Sequence, residues 1–166
     1  MSIEMRRLAS FVLLLLFSLT AARCGTTSPS MTTDFTGNYS GKYQVASCND
    51  GAAAGFCAEE GFNIGQQGPI TMSLGQNGVS VYGSMSVSAF SSGSFQGAVN
   101  NTTLNGTAPL TPVFYFDEFA YSSTITQWTS TLNGSQMTGS FTVQFSWAGS
   151  ANSPNLTANL VSFTRQ

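Results

Sequence analysis

The chain has 166 residues with 5 Lys or Arg, 7 Asp or Glu and no histidine, and charged residues make up 7% of it. The lack of histidine excludes a Ser-His-Asp or Cys-His site, a histidine-ligated zinc and the usual neutral-pH proton shuttle; so few cations leave no basic patch for nucleic acid. Low charge with low hydrophobicity describes disorder, but 13 Phe, 5 Tyr and 2 Trp predict a packed core.

Arg6 and Arg7 precede an almost wholly apolar run at residues 8–19, and the small residues Thr20, Ala21 and Ala22 lead to Arg23 and Cys24. Such a start predicts a secretory signal peptide, since the apolar run is shorter than the about 20 residues that span a hydrocarbon core. With a cysteine at the expected cleavage point, the segment resembles a bacterial lipoprotein signal, in which that cysteine is acylated and becomes the mature N-terminus. The resemblance implies a signal peptide over residues 1–23, a lipid on Cys24 and anchorage to a membrane outside the cytoplasm. Arg23 and Ala21 stand where such signals carry a small residue and a leucine. Cleavage after Ala22, giving a secreted or soluble periplasmic protein, is the alternative. Residues 24–34, with the lipidated cysteine at their head, read as a flexible polar tether.

The other two cysteines, Cys48 and Cys57, are close enough in sequence to pair in an oxidising compartment. Two thiolates without a further Cys or His make a poor zinc site, so a disulfide is expected there, and neither metal nor cofactor. It is expected to order a long loop, residues 46–68, against the rest of the domain.

From Phe35 onward the pattern has period two. Phe35, Gly37, Tyr39, Gly41, Tyr43 and Val45 share a face, and Ile70, Met72 and Leu74 form a second run. Asn77-Gly78 predicts a type I′ hairpin into Val79, Val81, Gly83, Met85 and Val87. Phe95, Gly97 and Val99 lead to an Asn100-Asn101 turn, and Leu104, Gly106 and Ala108 lead out of it. Residues 122–132 carry Trp128 and Leu132 ahead of an Asn133-Gly134 turn. Met137, Gly139, Phe141, Val143, Phe145 and Trp147 alternate next, and residues 156–165 shift phase near Leu160-Val161, which predicts a bulge.

These eight runs read as half-buried antiparallel strands. An open sheet would leave its apolar face in water, so an all-β, eight-stranded antiparallel up-and-down barrel over residues 35–166 is expected, with a two-sheet sandwich as the alternative. Inward glycines (Gly41, Gly83, Gly97, Gly139) suit places where barrel strands bend. The Gly37-Asn38-Tyr39 segment is similar to the Gly-x-Trp of lipocalins and their calycin relatives, with Tyr39 in place of the tryptophan. Arg165 resembles the arginine that packs over that ring and closes the barrel. The resemblance implies a cup with a long loop as its lid.

Residues 111–121 hold five aromatics and two carboxylates and break the alternation between the fifth and sixth strands. They read either as a lid, with Phe114, Tyr115, Phe116, Asp117 and Tyr121 contacting a ligand, or as a long loop capping the core. Inward Tyr43, Trp128 and Trp147 either line a cavity or fill the barrel. The carboxylate doublets Glu59-Glu60 and Asp117-Glu118 point their members to opposite sides of an extended chain, so neither supplies a glycosidase pair. No catalytic residue and no enzymatic activity are expected. The reading that follows is an anchored, non-enzymatic binding module for a small, mostly apolar ligand. The alternatives are a structural or protein-interaction lipoprotein with a filled barrel, an integral outer-membrane barrel and a carboxylate-only hydrolase.

Overall fold

A computed structural model describes residues 32–88, 90–116, 118–148 and 151–166. The expected signal peptide, Cys24, most of the tether and Asp117 lie outside the described residues. The period-two pattern becomes eight strands: β1 (Gly37–Asn49), β2 (Gln67–Asn77), β3 (Ser80–Val87), β4 (Ser91–Asn100), β5 (Thr103–Phe116), β6 (Phe119–Asn133), β7 (Gln136–Ser146) and β8 (Asn155–Arg165). Each strand pairs antiparallel with the next, and β8 returns to β1, so the sheet closes into the expected up-and-down barrel. No sandwich forms.

Alternation decides which face is buried. In β2, Ile70, Met72 and Leu74 point inward while Thr71 and Ser73 are exposed, and β3 repeats this with Val81, Met85 and Val87. Apolar side chains inside and hydroxyls outside are the inverse of a lipid-facing barrel. The barrel has two unlike ends. One carries the start of β1, the end of β8 and three two-residue hairpins. The other, the rim, carries the connections after β1, β3 and β7 and the short turn from β5 to β6.

The hairpins fall one residue later than the sequence suggests. Asn77 pairs with Ser80 and Asn133 with Gln136, so each asparagine is still in its strand and the loops are Gly78-Val79 and Gly134-Ser135. Positive φ sits on the first loop residue, Gly78 (φ 60) and Gly134 (φ 60), which is the glycine position of a type II′ turn rather than a type I′ turn. The third hairpin follows suit: Asn100 pairs with Thr103 and Asn101 takes the positive φ (57). In β8 the bulge lies at Ser162 (φ 50), opposite Gly41. A Cβ on Gly41 would run into the Ser162 carbonyl oxygen, so only glycine fits where the bulge presses on β1.

Two segments expected as surface loops are built differently. Residues 111–121 continue β5 and β6. The last pairing of β5 with β4 is Thr111 with Ser92 and that of β6 with β7 is Ser122 with Ser146, while Phe116 still pairs with Phe119. The two strands therefore run past the barrel wall as an arm, after a register shift between Leu110 and Phe114. The connection after β1 is not a lid laid over a cup. Cys48 belongs to β1 itself, and the short helix α1 (Phe56–Glu59) drops Phe56 into the core, where it is 0% exposed, with Phe62 and Ala53 also buried. The segment is a plug, because burying two large rings stabilises far more than a crosslink alone holds.

Candidate functional site

At the closed end, Tyr39 and Arg165 are register partners across the β1–β8 seam. The guanidinium lies 5.5 Å from the Tyr39 ring centre. Arg165 Nε and Nη2 donate to the Tyr39 hydroxyl at 3.0 and 2.9 Å, and Nη2 also donates to the Asp34 carbonyl. The phenol in turn donates to the Phe35 carbonyl at 2.9 Å. Burial pushes the Tyr39 phenol above its ordinary range, against the opposing pull of the Arg165 hydrogen bond. This end is tied shut by one cation over one ring.

From there an unbroken chain of ring contacts runs along the barrel axis. Tyr39 meets Phe163 at 5.8 Å, Phe163 meets Trp128 at 6.4 Å, Trp128 stacks on Phe141 at 5.5 Å, and Phe141 meets Tyr43 at 5.9 Å. Tyr43 then touches Phe90 at 5.8 Å, Phe90 touches Phe145 at 5.7 Å and Phe145 touches the plug residue Phe56 at 4.9 Å. Separations of this size are van der Waals contact for aromatic rings. The interior is packed, and Trp128, 0% exposed with its indole N–H donated to Ser130 Oγ at 2.8 Å, is core rather than cavity wall. Burial likewise raises the Tyr43 phenol above its ordinary range.

The recesses lie elsewhere. A groove of about 470 Å³ runs along the outside wall, lined by hydroxyl residues such as Ser40, Thr71, Ser73 and Ser84. At the rim, one recess of about 320 Å³ is lined by Tyr43, Glu60 and Phe62 among backbone-rich neighbours. A second rim recess, of about 330 Å³, is lined by residues 52–54, all alanine, and by Phe116, Phe119, Tyr121 and Trp147. This last one is concave, aromatic and of the size of small-ligand sites, whose range starts near about 300 Å³.

Local chemistry explains how the plug shapes it. Cys48 and Cys57 form a disulfide with Cα atoms 5.9 Å apart. The Asp50 carboxylate accepts the Cys57 N–H at 2.7 Å and the Gly55 N–H at 3.2 Å. These ties fold the alanines against the arm. Phe56 contacts Phe116 at 5.1 Å and Tyr121 at 5.6 Å, and Tyr121 meets Trp147 at 4.8 Å.

Of the residues expected at a ligand site, Phe116, Tyr121 and Trp147 come together here. Tyr115 is on the other face of the arm and 72% exposed, because it neighbours Phe116 in an extended strand. Phe114 pairs with Tyr121 in the ladder, and its side chain lies outside the described residues, as does Asp117. Phe56, Phe62 and residues 52–54 were not among the expected site residues, and Phe119 was one of the five aromatics of residues 111–121 without a role of its own. Within the plug only Phe56 had a signal, an aromatic beside a cysteine in an otherwise small and polar stretch. Comparison with family models, with curated proteins and with solved structures returns no match.

Proposed function

We propose that the chain is a non-enzymatic binding module held outside the cytoplasm, tethered through Cys24, whose barrel is a rigid scaffold and whose rim recess takes a small, mostly apolar ligand. The ring-to-ring packing along the axis carries this reading, since it moves the ligand site from the barrel interior to the rim. A recess of about 330 Å³ with four aromatic side chains at its border has the concavity and apolar lining of ligand sites. The chain contains no histidine.

The Cys24→Ser chain, released by cleavage after Ala22, is the material for the test. N-phenyl-1-naphthylamine, a neutral apolar probe, is expected to bind saturably with one site. Ala54 is exposed and borders the recess, so Ala54→Phe fills it without touching the core and is expected to abolish the fluorescence gain. Unsaturable binding, or binding indifferent to Ala54→Phe, overturns the recess as the site. Mass spectrometry that finds no diacylglyceryl group on Cys24 of the native protein overturns the tether.

A filled barrel with exposed Val113, Tyr115 and Phe119 on its arm also supports a protein-interaction role. The two readings separate on the probe: a partner-docking arm has no use for the alanine-lined recess.

A further inference from the structure

The rim combines two features that neither a plain apolar pocket nor a plain acidic surface has. We propose that the recess between the plug and the arm is an aromatic cage for an alkylated ammonium group of the choline type. The inference rests on the recess being the ligand site and adds the chemistry of its ligand.

The rings supply the first half. Phe116 and Tyr121 meet at 78° with centres 6.2 Å apart, and Tyr121 and Trp147 at 46° with centres 4.8 Å apart. Tyr121 and Phe116 are buried at the floor of the recess, and the ring faces open to a ligand are those of Trp147, partly buried, and Phe119, 53% exposed. Those faces carry the negative end of the ring quadrupole and attract a cation without needing a hydrogen bond.

Charge supplies the second half. Among the described residues the rim holds Asp50 in the turn beside the three alanines, Glu59 and Glu60 at the end of α1, and Glu118 next to Phe119. The described cations do not line this recess. Lys42 sits within the wall, opposite Pro69 and Val161, and Arg165 is engaged at the closed end with Tyr39 and the Asp34 carbonyl. Lys42 borders the other rim recess, beside Pro69, and the four described acids outnumber it, so the described rim is net negative and favours cationic over anionic ligands. Among the described residues no lining side chain is charged. A primary ammonium or a guanidinium would leave its N–H groups without a carboxylate partner inside the recess and lose their hydration. An alkylated ammonium has no N–H to satisfy, so its methyl groups pack on rings and alanines while its charge faces the π-clouds. The recess is at the small end of ligand sites, which suits a head group rather than a long chain.

Calorimetric titration of the Cys24→Ser protein compares choline with 3,3-dimethylbutan-1-ol, its uncharged carbon isostere. Choline is expected to bind about tenfold more tightly than the isostere, as a desolvated cation–π contact implies. Trp147 is only partly buried, so Trp147→Leu is expected to fold, to lose that preference and to keep isostere binding. Phe119, 53% exposed, gives a second variant, Phe119→Leu, with the same expected loss should the first misfold. Equal or tighter binding of the isostere overturns the cage and leaves an apolar site intact. Failure of choline while N-phenyl-1-naphthylamine still binds does the same. Failure of all three overturns the cage together with the recess as a site.

Discussion

The two ends of the barrel are closed by different physics. At one end a single Arg165 spans the seam, giving two hydrogen bonds to a phenol and covering its ring. At the other, a non-strand segment inserts Phe56 among Phe62, Phe116, Tyr121 and Phe145 and is pinned by a disulfide and by Asp50. Polar closure needs two residues at strand ends. Apolar closure needs rings gathered from three distant parts of the chain, and their incomplete fit against the arm leaves the recess. The end that is built by packing is the end that leaves an aromatic-lined recess.

A pair of substitutions breaks the comparison most strongly. Phe56→Ala removes a fully buried ring and opens a cavity at the junction of plug and arm, at a cost of about 3–5 kcal/mol. Arg165→Met removes the cation but leaves Tyr39 buried and donating to Phe35, at a cost of about 1–2 kcal/mol. Urea unfolding followed by circular dichroism measures both. A larger loss from Arg165→Met than from Phe56→Ala would mean that the seam, not the plug, governs stability.

Cys48→Ser with Cys57→Ser comes next. A crosslink over a sequence separation of 9 contributes about 2–3 kcal/mol through the unfolded chain. Because Phe56 and Phe62 remain buried without it, the plug is expected to stay seated and the barrel to stay folded. Amide exchange is expected to rise over residues 50–66 and to leave the β1–β8 seam unchanged. A rise spread evenly over all eight strands would show that the plug and the barrel unfold as one unit.

How much of this is legible without coordinates follows the same division. Strands β1 to β4 and β7 were readable because one face of each is buried and the other solvated, so alternation survives in the residues. The Tyr39–Arg165 pair sits at strand ends, where a motif has a fixed place. Phe56 and Phe62 belong to no periodic run, and nothing local says that a Gly- and Ala-rich stretch enters a barrel. The arm hid for a different reason. It pairs only with itself and uses both faces, packing Phe116 and Tyr121 inward while exposing Tyr115, so polar residues no longer mark the outside. The turns were shifted because a glycine serves as the second loop residue of a type I′ turn or the first of a type II′ turn, and the sequence alone leaves both open. The interior was ambiguous by composition, since the same aromatics line a cavity or fill it; only the ring-to-ring distances separate the two.

The smallest expected effect contrasts one carboxylate from each end. Asp34, at the closed end, accepts the Thr36 N–H at 2.8 Å, and that bond holds its carboxyl below the ordinary 3.8. Glu60, at the rim, is pushed above the ordinary 4.5 by partial burial and by the neighbouring charge of Glu59. The signs of their linkage to folding are opposite. Asp34 contributes stability above its unfolded value, and that contribution is lost as pH falls through its lower folded value. Glu60 carries a penalty when ionised, full above its folded value and relieved as pH falls through that value to its unfolded one. Both groups are largely solvated, so the net change in stability is small and a site-resolved measurement is needed. Carboxyl carbon-13 titration is expected to place Asp34 below 3.8 and Glu60 above 4.5, with Glu59→Gln drawing Glu60 back down. A Glu60 midpoint at or below 4.5 would mean that water and salt already screen the rim acids from one another. The negative field invoked for a cationic ligand would then be too weak to select it, and any preference for choline would have to come from the rings alone.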